Sequence, residues 1–120
     1  MENIRLCDSE YRFLQVVWAA APVPSGQLAE LCRQQLGWKK STVYTVLKKM
    51  CEKGLLRNEN AVVTVLVPRE RVTAAEAEQF VDRTFGGSLP GFLTAFMSGR
   101  KLTAREAEEM KRLIDQYREE

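Results

Sequence analysis

KKSTVYTVLKKMCEKGLL, residues 39–56, contains five lysines and one glutamate, with apolar residues between the charges at regular intervals. The apolar positions fall at i, i+3, i+4 and i+7, which is the spacing of one face of an α-helix. They are Val43, Val46, Leu47 and Met50. Gly54 can end such a helix because glycine adopts a left-handed conformation without strain. The stretch therefore predicts an amphipathic helix with an apolar inner face and a basic outer face.

Two helical patterns precede this basic helix. The first begins at Asp8, its expected capping residue, and reads DSEYRFLQVVWAA, with apolar residues three or four positions apart. Pro22 and Pro24 then interrupt the chain, and we expect Ser25 to cap a second helix that ends at Gly37. The residues expected to point inward are Tyr11, Leu14, Val17 and Trp18 in the first helix and Leu28, Leu31, Cys32 and Leu36 in the second.

A β-hairpin is predicted after the basic helix. The segment LLRNENAVVTVLVP has a polar turn at residues 58–60 and a β-branched run that ends at Pro68. Three helices followed by a hairpin predict a winged helix-turn-helix over residues 7–68, so the expected fold class is mainly α with a small β-hairpin. We assign residues 1–70 to a winged helix-turn-helix DNA-binding domain and residues 71–120 to a helical dimerisation region.

The predicted helical region is rich in aromatic residues. Two Thr-x-x-Glu capping boxes, at Thr73 and Thr103, each open a helical pattern, and the apolar segment FGGSLPGFLTAFMSG lies between them. Four of the five phenylalanines of the chain lie here, in a region too thin to bury them within one chain. We therefore expect a homodimer. Its predicted interface consists of Phe80, Val81, Phe85, Leu89, Phe92, Leu93, Phe96, Met97, Met110, Leu113, Ile114 and Tyr117.

Basic residues cluster around the predicted amphipathic helix. Residues 33–57 carry a net charge of +6, whereas the rest of the chain sums to −4. Clustered cations on a nearly neutral protein are typical of a nucleic-acid-binding face. A solvated helix is the alternative, but such helices usually mix acids with lysines, and residues 38–51 contain no acid. The predicted contacts to double-stranded DNA are Lys39, Lys40, Ser41, Thr42, Tyr44, Thr45, Lys48, Lys49 and Arg57.

These predicted contacts divide into two chemical groups. The lysines should bind phosphates and set the affinity and its salt dependence. The hydroxyl-bearing residues at positions 41, 42, 44 and 45 lie between the lysine pairs, where they should read base edges. Arg57 and residues 58–60 form a candidate wing, although a purely structural hairpin is favoured because Glu59 would face phosphates unfavourably.

Composition argues against several other classes. The chain has no histidine, no Cys-x-x-Cys pair and no glycine-rich phosphate loop, so we expect no zinc or other metal site, no cofactor and no enzymatic activity. Cys7, Cys32 and Cys51 are interpreted as free thiols, with a redox sensor as the alternative. No apolar segment is long enough to span a bilayer, and no signal peptide is evident, so we expect a cytoplasmic protein without membrane insertion.

Three alternatives stay open from the residues alone. Trp18 and Trp38 could stack on bases, although packing beneath the basic helix is the favoured interpretation. Phe92, Leu93, Phe96 and Met97 could line a pocket for an apolar effector instead of a dimer core. The winged helix as a whole could serve protein interaction without specific DNA contacts.

Four stretches resemble the penicillinase repressor family of bacterial transcriptional regulators over nearly the whole chain. They are SEYRFLQVVW, GWKKSTVYTVLKKMCEKGLL, FVDRTFGGSLPGFLTAF and LTAREAEEMKRLIDQ. The resemblance implies a homodimeric repressor whose winged helices bind an inverted-repeat operator. It places the operator-reading helix at residues 39–49 and the dimer helices at residues 73–85, 88–98 and 103–117.

The chain departs from this family at three places. The family often has a basic and aromatic wing strand, whereas Ala61, Val62, Thr64, Leu66 and Pro68 stand at those positions. Members that respond to β-lactams are cleaved at an Asn-Phe bond, which implies a membrane sensor protease as partner; the aligned pair here is Ala95 and Phe96. The copper-responsive branch ends in a cysteine-rich motif, whereas this chain has no cysteine after position 51.

Overall fold

The computed structural model describes residues 4–119 and contains two compact units that divide between Phe80 and Val81. The elements in chain order are α1 (Asp8–Ala20), β1 (Val23–Pro24), α2 (Ser25–Leu36), α3 (Lys40–Glu52), β2 (Leu56–Glu59), β3 (Val62–Val65), α4 (Arg69–Phe85), α5 (Leu89–Met97) and α6 (Ala104–Tyr117). The predicted fold class is confirmed, since a mainly helical chain carries one small antiparallel sheet in the arrangement of a winged helix.

The core of the first unit is built from one face of each of its first three helices. In α3 the predicted inner residues Val43, Leu47 and Met50 are fully or almost fully buried, whereas Val46 is half-buried. In α1 the buried face is centred on Phe13 and Leu14 and not on the aromatic residues at positions 11 and 18, which are half-buried. The first three predicted helices are therefore confirmed, with the buried face of α1 rotated slightly from the expected one.

The end of α3 follows the prediction in detail. Gly54 has φ of +79°, and Lys53 is the last, half-helical residue before it. The N–H of Leu55 donates to the carbonyl of Met50 at 3.1 Å, and the N–H of Gly54 donates to the carbonyl of Cys51 at 3.0 Å. This pair of bonds is the Schellman motif, which satisfies the last carbonyls of the helix and turns the chain into β2.

The sheet differs from the predicted hairpin in two ways. Its strand order is β1-β3-β2, because residues 23 and 24 pair with β3 and add a third strand. The hairpin turn is formed by Asn60 and Ala61, both with positive φ, so the prediction of a turn at residues 58–60 is wrong. Asn58 and Glu59 continue β2 because a two-residue turn with both φ values positive matches the twist of the paired strands.

Three expected helix caps are wrong. Asp8 is the first residue of α1, and Cys7 precedes it as N-cap, with its N–H donating to the Glu10 carboxylate at 3.0 Å. Ser25 is the first residue of α2 and is buried; its N–H donates to the carbonyl of Ala61 at 2.8 Å, which joins α2 to the hairpin turn. Thr73 lies inside α4, since that helix already begins at residue 69, immediately after a proline.

The Thr103 capping box is confirmed at the start of α6. The Thr103 hydroxyl oxygen accepts from the N–H of Glu106, and the Glu106 carboxylate accepts from the N–H of Thr103, both at 3.1 Å. The division at residue 70 between two functional regions stays a prediction. Val72 and Ala75 of α4 are buried in the core of the first unit, so the first half of α4 packs with the winged helix.

Candidate nucleic-acid interface

The residues that α3 buries in the core determine which of its residues form the outer face. Its buried residues leave the face that contains residues 41, 42, 45, 48 and 49 exposed. Just before the helix, the indole ring of Trp38 stacks on the phenyl ring of Phe13, which is fully buried in α1. This contact supports packing against the core, the favoured interpretation of that tryptophan, and it fixes where α3 begins.

Three lysines at the start of α3 and on its outer face have no acidic partner among the described residues. Lys39, Lys40 and Lys48 are exposed, and within residues 4–119 no carboxylate lies within 4.0 Å of their ammonium groups. The Lys40 ammonium lies 6.0 Å from the ring centroid of Tyr44, at the edge of cation–π range. Their positive charges are therefore available to an external anion.

Two further lysines near the C-terminal end of α3, Lys49 and Lys53, share one buried carboxylate. Glu10 of α1 is only 6% exposed, and its Oε1 accepts from Lys53 Nζ at 3.3 Å. Lys49 Nζ lies 3.8 Å from Oε2 of the same carboxylate. Burial alone would raise the pKa of Glu10, but the Cys7 N–H and the Lys53 ammonium outweigh it and lower that pKa below its usual value. Glu10 is therefore charged at neutral pH, and its negative charge offsets part of the positive charge of Lys49 and Lys53.

The predicted base-reading hydroxyls are not equivalent in the structure. Ser41 and Thr42 are exposed on the first turn of α3. The Thr45 hydroxyl donates to the carbonyl of Ser41 at 2.9 Å, so it retains only its acceptor capacity and its methyl group for a ligand. The hydroxyl of the half-buried Tyr44 donates to Ser25 Oγ at 3.4 Å, a long hydrogen bond directed into the protein. The hydroxyls best placed for a ligand are those of Ser41 and Thr42.

The N-terminus of α3 adds donors to this face. Its N-cap is Lys39, whose side chain makes no capping hydrogen bond. The first intrahelical bond runs from the N–H of Val43 to the Lys39 carbonyl at 3.1 Å, so the N–H groups of residues 40–42 are not used by the helix. Helix N-termini of this kind favour anions, because the unpaired N–H groups and the helix dipole both attract negative charge.

The hairpin contributes less positive charge than the sequence suggested. Arg57 is exposed, but its guanidinium lies 3.7 Å from the Glu59 carboxylate on the same strand. Val62 and Leu66 are 38% and 43% exposed. The wing surface is therefore aliphatic with one locally paired arginine, and a contact from Arg57 to DNA stays a prediction.

The predicted dimer residues lie on the last three helices. Val81, Phe85, Phe92, Leu93, Met97 and Met110 are half-buried, whereas Phe80, Leu89, Phe96, Leu113, Ile114 and Tyr117 are exposed. No described residue of α5 or α6 is fully buried. Both helices therefore present apolar side chains that the chain itself does not cover.

Within the second unit an aromatic cluster joins the end of α4 to α5. Phe85 and Phe92 meet edge to face at 5.6 Å, and Phe92 lies 5.7 Å from Phe96. The Arg100 guanidinium sits 4.6 Å from the centroid of the Phe96 ring. The Ala95–Phe96 bond lies inside α5, and its role as a cleavage site stays a prediction.

The three thiols are free and differ in exposure. Cys7 is exposed, Cys51 is half-buried and Cys32 is buried. Burial raises the pKa of the Cys32 thiol to about 11, so this thiol is protonated at neutral pH. Burial is also the largest cause of the raised pKa of Cys51. Neither of these two cysteines has the lowered pKa of a reactive thiol, which supports the structural interpretation.

Sequence reasoning missed two participants in this region. Glu10 was not among the predicted site residues, and its contact with Lys53 joins residues far apart in the chain. Ser25 was expected to cap a helix but instead receives the Tyr44 hydroxyl. No local pattern predicts either contact, because each depends on how α1, α2 and α3 pack together.

Residues 4–119, the part of the chain that the structure describes, contain neither a membrane-spanning helix nor a metal-binding cluster. No helix there is both long enough and apolar enough to cross a membrane. No group of three or more cysteine, aspartate or glutamate side chains in that part of the chain is arranged to hold a metal ion.

Comparison with known proteins bears on both units of the chain. A family model described as penicillinase repressor matches residues 6–116. The chain is 18% identical over 118 residues to the penicillinase repressor of Bacillus licheniformis, covering 95% of this chain and 92% of that protein. It is also 31% identical over 51 residues to an uncharacterised 16.5 kDa protein in the ptsI 3′ region of Latilactobacillus sakei, covering 42% of this chain and 35% of that protein.

Proposed function

The chain belongs to the penicillinase repressor family, whose members are transcriptional repressors, and we propose that it represses transcription as a homodimer bound to an inverted-repeat operator. The observation that carries this proposal is the outer face of α3. Exposed lysines that have no acidic partner within residues 4–119 flank two exposed hydroxyl residues there. That arrangement suits a helix whose lysines bind phosphates and whose first-turn hydroxyls contact bases.

In the proposed complex α3 enters the major groove with its N-terminal turn nearest the bases. Ser41 and Thr42 then face base edges, where a hydroxyl can donate or accept and a threonine methyl can contact thymine. Lys39, Lys40 and Lys48 neutralise phosphates and release counterions, which makes binding weaken as salt rises. The unused N–H groups of the first turn of α3 support the same orientation.

The proposed homodimer rests on the apolar surfaces of α5 and α6. Six of the twelve predicted interface residues are exposed in the single chain, and five of the six lie on α5 and α6. Exposed apolar residues gathered on two helices mark an association surface. A two-fold axis through such a surface would present two copies of α3 to one duplex. The half-sites should then lie about 10 base pairs, or a multiple of that, apart.

Selection from a pool of randomised duplexes tests the proposal. The purified protein should enrich a palindromic sequence, and its affinity for that duplex should exceed its affinity for random duplex at moderate salt. Between about 50 and 200 mM salt the affinity should fall steeply along a straight log–log line. Equal affinity for the enriched and the random duplex would contradict specific operator binding.

A winged helix that binds another protein is the second candidate. It is favoured by the aliphatic wing, in which Val62 and Leu66 are exposed and Arg57 is paired with Glu59. The variant with both Lys48→Ala and Lys49→Ala separates the two functions. Repression should be lost in that variant if α3 binds DNA and retained if the wing binds a protein, with folding and oligomeric state checked in parallel.

A further inference from the structure

Two lysine side chains, those of Lys49 and Lys53, join the C-terminal end of α3 to the first turn of α1 and to the segment before it. Lys53, at the end of α3, donates to the carbonyl of Arg5 at 2.6 Å and to the Glu10 carboxylate at 3.3 Å. Lys49, one turn earlier, lies 3.8 Å from the same carboxylate. The segment before α1 and the first turn of α1 therefore fix the end of the helix opposite to its base-reading turn.

The same contacts change the charge that α3 presents. Two ammonium groups and one carboxylate leave a local charge of +1 where the lysines alone would give +2. Glu10 is buried, whereas the side chains of Lys49 and Lys53 are 60% and 36% exposed. An external anion can therefore reach the two lysines from solvent. The Glu10 carboxylate behind them weakens their attraction for that anion, because it neutralises part of their positive charge.

We propose that Glu10 is a specificity-determining positioning residue for DNA recognition, which fixes the end of α3 and limits its non-specific attraction to the phosphate backbone. This inference rests on the proposed DNA binding. Non-specific affinity is almost wholly electrostatic, whereas specific affinity also needs the correct placement of the reading turn. A residue that both offsets charge and fixes the helix therefore raises the ratio of specific to non-specific binding.

A purely capping role for Glu10 makes a different prediction. The Cys7 N–H donates to Glu10 Oε1, and a glutamine at position 10 could accept the same bond. Glu10→Gln would then leave DNA binding unchanged if capping were the whole role. The substitution removes the charge but keeps the shape, so changes in DNA binding report on the lysine contacts.

The experiment measures binding of the full chain to random duplex and to the duplex enriched from a randomised pool, each over a range of salt. For Glu10→Gln, the log–log salt slope on random duplex should become steeper by up to about 0.9 per subunit, and the ratio of enriched to random affinity should fall. For Lys53→Gln, Glu10 is left to pair with Lys49 alone, so the slope should become shallower. A general loss of folding would weaken binding in both variants and could not produce these opposite changes.

Glu52→Gln is the matched control. Glu52 is exposed at the end of the same helix, and no cation of the described chain lies within 4.0 Å of it, so the substitution changes the charge equally without breaking these contacts. Its effect on slope and ratio should be clearly smaller than that of Glu10→Gln. Equal effects, or none in Glu10→Gln, would overturn this inference alone. Failure of the unaltered protein to bind either duplex would overturn the proposed function and the inference together.

Discussion

The rings of Trp38 and Phe13 stack with their centroids 5.9 Å apart and their planes inclined by only 1°. Phe13, on α1, is fully buried in the core of the first unit. Trp38 is half-buried and lies in the turn between α2 and α3. The stack therefore joins that turn to the core immediately before the helix proposed to read DNA. It holds the first turn of α3 from one side, and Lys53 and Glu10 hold the far end of the helix.

Removing this stack should destabilise the first unit. Full burial makes a tryptophan-to-alanine change cost about 3–5 kcal/mol, and because Trp38 is only half-buried we expect Trp38→Ala to lower the free energy of unfolding by about 2 kcal/mol. Urea denaturation followed by circular dichroism measures the change. Trp38→Phe keeps a stacked ring and should lose less than half as much. Equal losses in the two variants would mean that the stack is not the source of the stability.

Much of the first unit could be predicted from residue spacing. The period of α3 correctly assigned Val43, Leu47 and Met50 to the core, and Gly54 was correctly expected to end the helix, because both features are local. The hairpin was also expected, but its turn was misplaced, since Ala61 occupies a left-handed position at φ of +59° that the residue type does not favour. A two-residue strand such as β1 is too short to leave a periodic signal.

The chemistry of the candidate site was less predictable because it depends on contacts between helices. The sequence grouped four hydroxyl residues as equivalent, and the structure separates them by the bonds they already make. Thr45 bonds within its own helix, whereas Tyr44 reaches α2, nineteen residues away in the chain. The lysines likewise divide into exposed residues that have no acidic partner in the described part of the chain and residues that share Glu10.

This separation of the hydroxyls predicts unequal effects on sequence preference. Thr42→Val keeps the size of the side chain but removes a hydroxyl that has no partner in the described chain, so it should cost about 1 kcal/mol of discrimination at the base it contacts. Tyr44→Phe removes a hydroxyl already directed at Ser25, so its effect should be smaller. Affinities for single-base variants of the enriched duplex measure both. A larger effect from Tyr44→Phe would contradict the assignment of the reading turn.

Glu76 of α4 should make stability depend on pH in the opposite sense to Glu10. Its Oε1 is buried without a hydrogen-bond partner among the described residues, and burial raises the pKa of this carboxyl above its usual value. The folded state then binds more protons than the unfolded state between the unfolded and folded pKa values, so stability falls as pH rises through that interval. The pKa of Glu10 is lowered, so its contribution is lost as pH falls through its folded value.

Glu76→Gln should therefore be more stable than the unaltered protein at neutral pH, and the difference should vanish below about pH 4. Denaturant unfolding at a series of pH values measures it. Glu78→Gln is a suitable control, because Glu78 is exposed on the same helix. A gain of the same size in that variant would show that the effect comes from the net charge of the helix and not from the buried oxygen.

The exposed apolar face of α6 should be needed for the proposed homodimer. Leu113 and Ile114 are 55% and 57% exposed, and Tyr117, one turn further, is 76% exposed. A charge buried in an apolar interface is costly, so Leu113→Asp should shift the protein from dimer to monomer in sedimentation equilibrium at concentrations where the unaltered protein is dimeric. Gln116→Asp introduces the same charge on the same exposed helix outside the predicted interface and should leave the dimer intact. If both variants stay dimeric, the interface lies elsewhere. If Leu113→Asp becomes monomeric, it should also lose the preference for a palindrome, because two copies of α3 are no longer held on one duplex.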